Sequence, residues 1–335
     1  MRDLYYLGHF LAAEGVGRLP DMRLRGAFID FLARAAYGFS RTKRARIEHH
    51  IELAFGATLN PAQRKDIALA CFREFWQEMA DWVPKSSDRS LAAQTPIRGL
   101  EHLERALAAG NGAILWESNG FGRRVRGKQA LHAHGVQLYQ THGATHLGVI
   151  DTTPEPGSWL RSRLLRGTYE RRERAFVAEI VEIPLSATVS SGRVYLRHLR
   201  RNRALCMAGD GQIARKHYPV RLLGRTVWLA PGAVKLARVS GAPLLPMFWV
   251  PEGEGAPALE IDPPIDPPND PPIDPPRAAA ASADTDEAIV ECLQTFADAL
   301  ERRVRRWPRA YRNWHLLGDG EPPPAARAVP GEDFT

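Results

Sequence analysis

The chain has 335 residues, 44% of them apolar, enough to enclose the core of one large α/β domain or two small ones, which excludes disorder throughout. Its formal charge is +7, its isoelectric point is near 9.5, and only six of its 45 basic residues are Lys. The positive surface is therefore nearly all guanidinium, a planar fork suited to phosphate and carboxylate. Acidic partners are expected, whether anionic lipid headgroups, an acidic carrier protein, a phosphorylated ligand or nucleic acid.

At the N-terminus, MRDLYYLGHFLAAEG holds an apolar run of about ten residues broken by His9, too short to span a bilayer. It has no clear signal-peptide cleavage site. Two readings stand: a helix packed on the core, or an amphipathic helix lying in a membrane interface. Residues 1–95 read as an N-terminal helical cap. RTKRARIEHHIELAFG places Ile47, Ile51 and Ala54-Phe55 at helical spacing, and NPAQRKDIALACFREFWQEMADWV opens with Asn-Pro and repeats an apolar face through Ile67, Cys71, Phe75 and Met79.

From residue 96 the pattern changes to short apolar runs: GAILWE, GVQLYQTH, FVAEIVEIP, ALCMAGD and APLLPMFWV, with helical stretches between several of them. This alternation predicts an α/β fold over 96–317 with a largely parallel sheet flanked by helices. The repeat IDPPIDPPNDPPIDPP at 261–276 lacks the N–H groups a sheet needs and reads as an extended spacer. A helix over 284–306 follows, acidic at its start and basic at its end, and 318–335 reads as a disordered tail. Cys71, Cys206 and Cys292 lie far apart in apolar stretches, a spacing that suits neither zinc nor a disulfide framework, so buried thiols, a reducing compartment and no metal are expected. No helix-turn-helix, zinc-finger or RNA-recognition signature is evident, which sets nucleic acid aside.

Four features in order carry a resemblance: RARIEHHIELAFG in the helical region, the strand and polar turn at 112–124, MAGDGQIARKHYPVRLLGRTVWLAPGAVKLARVSGAPLLPMFWV at 207–250, and WPRAYRNWHLL at 307–317. Together they resemble the lysophospholipid acyltransferase superfamily, in particular the bacterial lipid A lauroyl/myristoyl acyltransferases, over residues 1–317. The resemblance implies transfer of a fatty acyl group from an acyl-carrier-protein or coenzyme A thioester to a hydroxyl or amine acceptor at the inner face of the cytoplasmic membrane, with no bound cofactor. A cytoplasmic enzyme with a soluble acceptor is the companion expectation, since the hydrophobic anchor usual in lipid A enzymes is short and interrupted here.

The family's chemistry uses a His that deprotonates the acceptor and, after four intervening residues, a Glu or Asp that orients the imidazole. This sequence lacks the pair. Counting from the strand start puts Asn119 and Arg124 at the two positions, and aligning on Phe121-Gly122 puts Gly120 and Val125 there. Neither alignment supplies a base at neutral pH.

A substitute is predicted from strand ends. Glu117 closes GAILWE and His142 closes the next strand in sequence, so as parallel neighbours about 4.8 Å apart they would form a carboxylate–imidazole pair. The competing reading pairs Glu117 with Arg123 or Arg124 and leaves His142 as a turn residue. Asp210, after a buried strand, reads either as a substrate-positioning group or as part of a Gly-Asp-Gly bend. Asn119, Arg123 and Arg124 are expected at the substrate, with Arg126 and Lys128 completing a cationic helix start that favours an anion. Arg166 joins them from WLRSRLLRGTYERRERAF, a basic and aromatic mixture suited to a membrane interface. Two further functions follow from a lost base: a non-catalytic acyl- or carrier-binding protein, and a thioester-using enzyme that hydrolyses or condenses.

Overall fold

The computed structural model describes residues 2–83, 88–143, 146–147, 150–151, 165–183, 189–210, 216–251, 256–265 and 278–317. Five helices open the chain: α1 (Arg2–Arg18), α2 (Met22–Phe39), α3 (Arg41–Phe55), α4 (Pro61–Asp81) and α5 (Asp88–Gln94). Local chemistry sets their starts. Asp21 accepts the Arg23 N–H at 2.6 Å to open α2. Asn60 and Gln63 exchange side-chain and backbone hydrogen bonds at 2.9 Å ahead of α4, with Pro61 in its first turn, where no intrahelical N–H is needed.

The α/β part follows as β1 (Ile97–Arg98), α6 (Leu100–Ala108), β2 (Ala113–Glu117), α7 (Arg124–Ala133), β3 (Leu138–Gly143), β4 (His146–Leu147), β5 (Ile150–Asp151), α8 (Arg166–Glu173), β6 (Glu179–Ile183), α9 (Val189–Leu199) and β7 (Ala204–Ala208). After these come the hairpin β8 (Tyr218–Leu222) and β9 (Arg225–Leu229), then α10 (Gly232–Ser240), β10 (Leu244–Val250), β11 (Ala258–Ile261) and α11 (Ala278–Arg306). Among the described residues the main sheet has the order β1-β11-β10-β2-β7-β3-β6, and every pairing in it is parallel except β10 with β11. This is the expected α/β class. Central strands β2 and β10 are buried along their whole length, which is why they read as unbroken apolar runs rather than alternating ones.

The proline repeat departs from expectation at its start. Ile261 ends β11, the Asp262 N–H donates to the Pro246 carbonyl at 2.9 Å, and Ile265 bridges Leu244. The non-proline positions of the repeat keep their N–H groups, and those of Asp262 and Ile265 bond to β10 before the segment leaves the described residues at 266. Helix α11 begins at Ala278, six residues ahead of the predicted 284, and ends at the predicted Arg306. The expected tail, 318–335, lies outside the described residues.

The N-terminal helices share the sheet's core. Ile47, Ile51, Phe72 and Trp76 belong to the same buried cluster as Phe121, Tyr311 and Trp314. Across the sheet, Trp116 stacks on Phe296 of α11 with ring centroids 4.5 Å apart, and Phe296 in turn stacks on Phe248 of β10. All three rings are buried. Phe296→Ala is expected to destabilise the protein by about 3–5 kcal/mol, the usual cost of deleting a fully packed aromatic ring, and urea unfolding would measure it.

Candidate functional site

At the carboxyl edge of the sheet, β2 runs into a turn, Ser118-Asn119-Gly120-Phe121-Gly122, held from two sides. On one side stands Asp210, just past the neighbouring strand β7. Its carboxylate accepts the Ser118 hydroxyl at 2.6 Å, the Asn119 N–H at 2.5 Å and the Gly120 N–H at 3.0 Å. Ser118 Oγ accepts the N–H groups of Gly120 and Phe121 in turn. On the other side is the segment after α11: Arg312 donates its backbone N–H to Gly120 O and its guanidinium to Asn119 O, both at 2.6 Å, while Gly122 N–H donates to Ala310 O. Gly122 has φ +66°, and a Cβ there would lie 2.1 Å from the Trp249 carbonyl oxygen, so glycine is required.

Helix α7 begins directly after this turn and lies against α4. Glu74, Glu78 and Asp81 are spaced i, i+4, i+7 on α4 and share one face. Asp81, fully buried, receives Arg123 Nε at 2.6 Å and also Arg123 Nη2, Arg126 Nη2 at 3.0 Å, and Arg25 of α2 at 3.3 Å. Burial opposes its charge, but the guanidiniums of Arg123, Arg126 and Arg25 overcome this and hold the carboxyl below its ordinary range. Glu78 faces Arg312 at 3.4 Å and Arg124 at 3.7 Å. Glu117 faces Lys128 at 3.2 Å, Gln140 Nε2 at 3.3 Å and Arg124 at 3.8 Å.

Arg124 also donates to Asn119 Oδ1 at 2.6 Å, tying the helix start to the turn. Burial would lower its pKa; the carboxylates of Glu117, Glu78 and Asp210 more than offset that, so Arg124 stays a cation. Glu74 is half-buried one helical turn before Glu78. Burial pushes its carboxyl up to about 7, against the pull of Arg123 and Arg312. Several buried atoms of this cluster have hydrogen-bonding capacity to spare, among them both Glu78 oxygens, Glu117 Oε2, Gln140 Oε1 and Arg124 Nε. Among the described residues no group of His, Cys, Asp and Glu could hold a metal ion, and the three cysteines are free and buried.

The structure brings together Glu117, Asn119, Arg123, Arg124 and Asp210. It separates the predicted Glu117–His142 pair. Strand β7 lies between β2 and β3, so the two residues stand on strands about 9–10 Å apart rather than on adjoining ones. The expectation failed because the strand next in sequence is not next in space. The β3 side chain that reaches Glu117 is Gln140, which sequence reasoning missed. Arg123 is likewise corrected, since its partner is Asp81. The predicted anion site at the start of α7 is filled by the protein's own carboxylates. Arg166 pairs with Glu170 one turn along α8 at 2.6 Å. Also missed were Glu74, Glu78, Asp81 and Arg312, and Lys128, expected at an anion site, pairs instead with Glu117. The i, i+4, i+7 acidic spacing on α4 and the YRNW segment were the available signals.

Residues 4–118 and 185–315 match the family described as bacterial lipid A biosynthesis acyltransferase. The chain belongs to this family. It is also similar to a phosphatidylinositol mannoside acyltransferase of Mycobacterium tuberculosis (strain CDC 1551 / Oshkosh), 28% identical over 258 residues that cover 76% of this chain and 74% of that protein. A protein of the same name from Mycolicibacterium smegmatis is 25% identical over 252 residues, 75% of this chain and 69% of that one. Family and relatives together support an acyltransferase. The first matched segment ends at Ser118, the first residue of the turn described above, and the match resumes at 185. Among the described residues no helix is long and apolar enough to cross a membrane.

Two stability outcomes follow from the charge cluster. Asp81→Asn leaves three guanidiniums without their carboxylate and is expected to cost about 3–5 kcal/mol in denaturant unfolding. Glu74 has a folded pKa near 7, above the unfolded value of about 4.3. Its contribution is present below about pH 4 and lost as pH rises through 7. Glu74→Gln should therefore gain stability on the wild type between about pH 5 and pH 8, and a Tm difference independent of pH would contradict this assignment.

Proposed function

We propose that this chain transfers an acyl group from an acyl-carrier-protein or coenzyme A thioester to a hydroxyl or amine of a lipid acceptor, peripherally at the inner face of the cytoplasmic membrane, through an active site that lacks the family's usual His and carboxylate pair. The similar mycobacterial proteins are named phosphatidylinositol mannoside acyltransferases, and on that likeness we take the acceptor to be a lipid bearing hydroxyls. The observation that carries the reading is the Asn119–Arg124 hydrogen bond at 2.6 Å. In the alignment counted from the strand start, Asn119 and Arg124 take the two positions that the resemblance gives to the base and its orienter; they are bonded to each other and set in a turn gripped by Asp210 and Arg312.

Neither residue takes a proton at neutral pH. Arg124 suits the opposite role, that of a permanent buried cation donating hydrogen bonds to the oxyanion formed when the acceptor attacks the thioester carbonyl. Glu117 is held by Lys128 and Gln140 and acts as a positioning residue for Arg124. Glu74, one turn from Glu78 on the α4 face that meets Arg124 at 3.7 Å, and with its carboxyl raised by burial, is the group we assign to receive the acceptor's proton and return it to the departing thiolate as the C–S bond breaks. His142 is the competing base, acting from β3.

Incubation with acyl-loaded carrier protein or acyl-coenzyme A and a lipid acceptor, followed by intact-mass spectrometry of the carrier and lipid analysis, tests the reading. Arg124→Gln should lower kcat by about 10²–10³ with KM little changed. Glu74→Gln should lower it by about 10²–10⁴ and remove the limb of the pH profile near 7. His142→Ala, run in parallel, moves proton acceptance to the imidazole if it abolishes turnover while Glu74→Gln stays active. No acyl loss from any donor with the wild type would replace the enzyme with a binding protein.

A further inference from the structure

Helix α2 has two apolar faces. The first, with Ile29 and Ala33, is buried, and Arg25 beside them reaches Asp81 at 3.3 Å. The second is exposed. Leu24, Phe28, Phe31 and Phe39 are 58%, 45%, 63% and 89% accessible, and their spacing of four, three and eight residues sets them on one stripe along the helix. Met22, 68% accessible, extends the apolar surface at the N-terminal end. A line of exposed phenylalanines along a helix about 27 Å long is a contiguous apolar patch of the kind that marks an interaction surface.

The patch has a cationic rim. Arg23 and Arg34 project from α2 on the flank away from the buried face, and Arg41 and Arg46 stand in the first two turns of the next helix, α3. All four are exposed. Asp30, the acidic residue within α2, is neutralised by Arg73 at 2.6 Å. Phenylalanines bordered by exposed arginines complement a surface with an apolar interior and negative headgroups. A second copy docked through the same stripe would instead set one arginine rim against the other.

We propose that the Leu24–Phe28–Phe31–Phe39 stripe of α2 is the face by which the protein lies in the interface of an anionic bilayer, with Arg23, Arg34, Arg41 and Arg46 on the lipid phosphates. This deepens the lipid-acceptor reading and rests on it for its purpose. The same helix joins the membrane to the site, because Arg25 shares Asp81 with Arg123 and Arg126 at the start of α7.

Co-sedimentation of the full-length protein with vesicles of phosphatidylcholine, with and without phosphatidylglycerol, tests the docking face without any acyl donor. The wild type should pellet with the phosphatidylglycerol vesicles and be released by high salt. The double variant F28S/F31S, altered at exposed positions, should lose roughly tenfold or more in partition coefficient while keeping its Tm. R23S/R34S should lose the preference for phosphatidylglycerol. Equal pelleting of F28S/F31S and wild type, or a wild type that stays in solution with both vesicles, overturns the proposal. So does a wild-type dimer by light scattering that F28S/F31S converts to monomer, which assigns the stripe to a second copy. Absence of acyl transfer in a wild type that still binds vesicles counts against the catalytic reading and leaves the docking face standing.

Discussion

The structure depends on an exchange of charge between α4 and α7. Buried carboxylates and guanidiniums are tolerable only in company, since an isolated buried ion costs several kcal/mol more than a paired one returns. Asp81 satisfies this for three arginines, Arg25 of α2, Arg126 of α7 and Arg123 directly before α7, and Glu78 does so for Arg124 and Arg312. The face of α4 therefore fixes where α7 begins. Because α7 begins immediately after the turn that closes β2, it also fixes the turn.

The turn itself is held by complementary means. Asp210 gathers a hydroxyl and two N–H groups from one side, and the 310–312 segment supplies backbone and guanidinium contacts from the other. Two parts of the chain remote in sequence thus converge on five residues. So much support holds Asn119 in place to accept the Arg124 guanidinium at 2.6 Å. Arg124 cannot serve as a base, and the surrounding carboxylates keep it charged. Ser118 has its hydroxyl committed to Asp210 and to two N–H groups.

Helices α2 and α4 pack on one another in the N-terminal region. Glu74 stands one turn from Glu78 on α4, and α2 packs beside α4 with Arg25 turned to Asp81 and its phenylalanines turned outward. A single helical layer carries the titratable carboxylate on its inner side and the apolar stripe on its outer side.

Much was legible in the chain without coordinates. Unbroken apolar runs such as GAILWE and APLLPMFWV marked the central strands because a strand covered on both faces has no polar side to show. The Asn60-Pro61 start of α4 was readable because capping is local. That residues 112–124 contain no His was readable because it is a matter of residue type. What the tertiary structure decided was spatial order and partnership. Sequence order made His142 the neighbour of Glu117, but parallel strands need crossovers, and the crossover through α9 inserts β7 between them. The arginines at 123–126 announced an anion site, and only packing showed that Glu78, Asp81 and Glu117 already occupy it. Residue chemistry determined what this site lacks; long-range contacts decided which groups surround the gap, because ion pairs across 42 to 234 residues leave no periodic trace in the sequence.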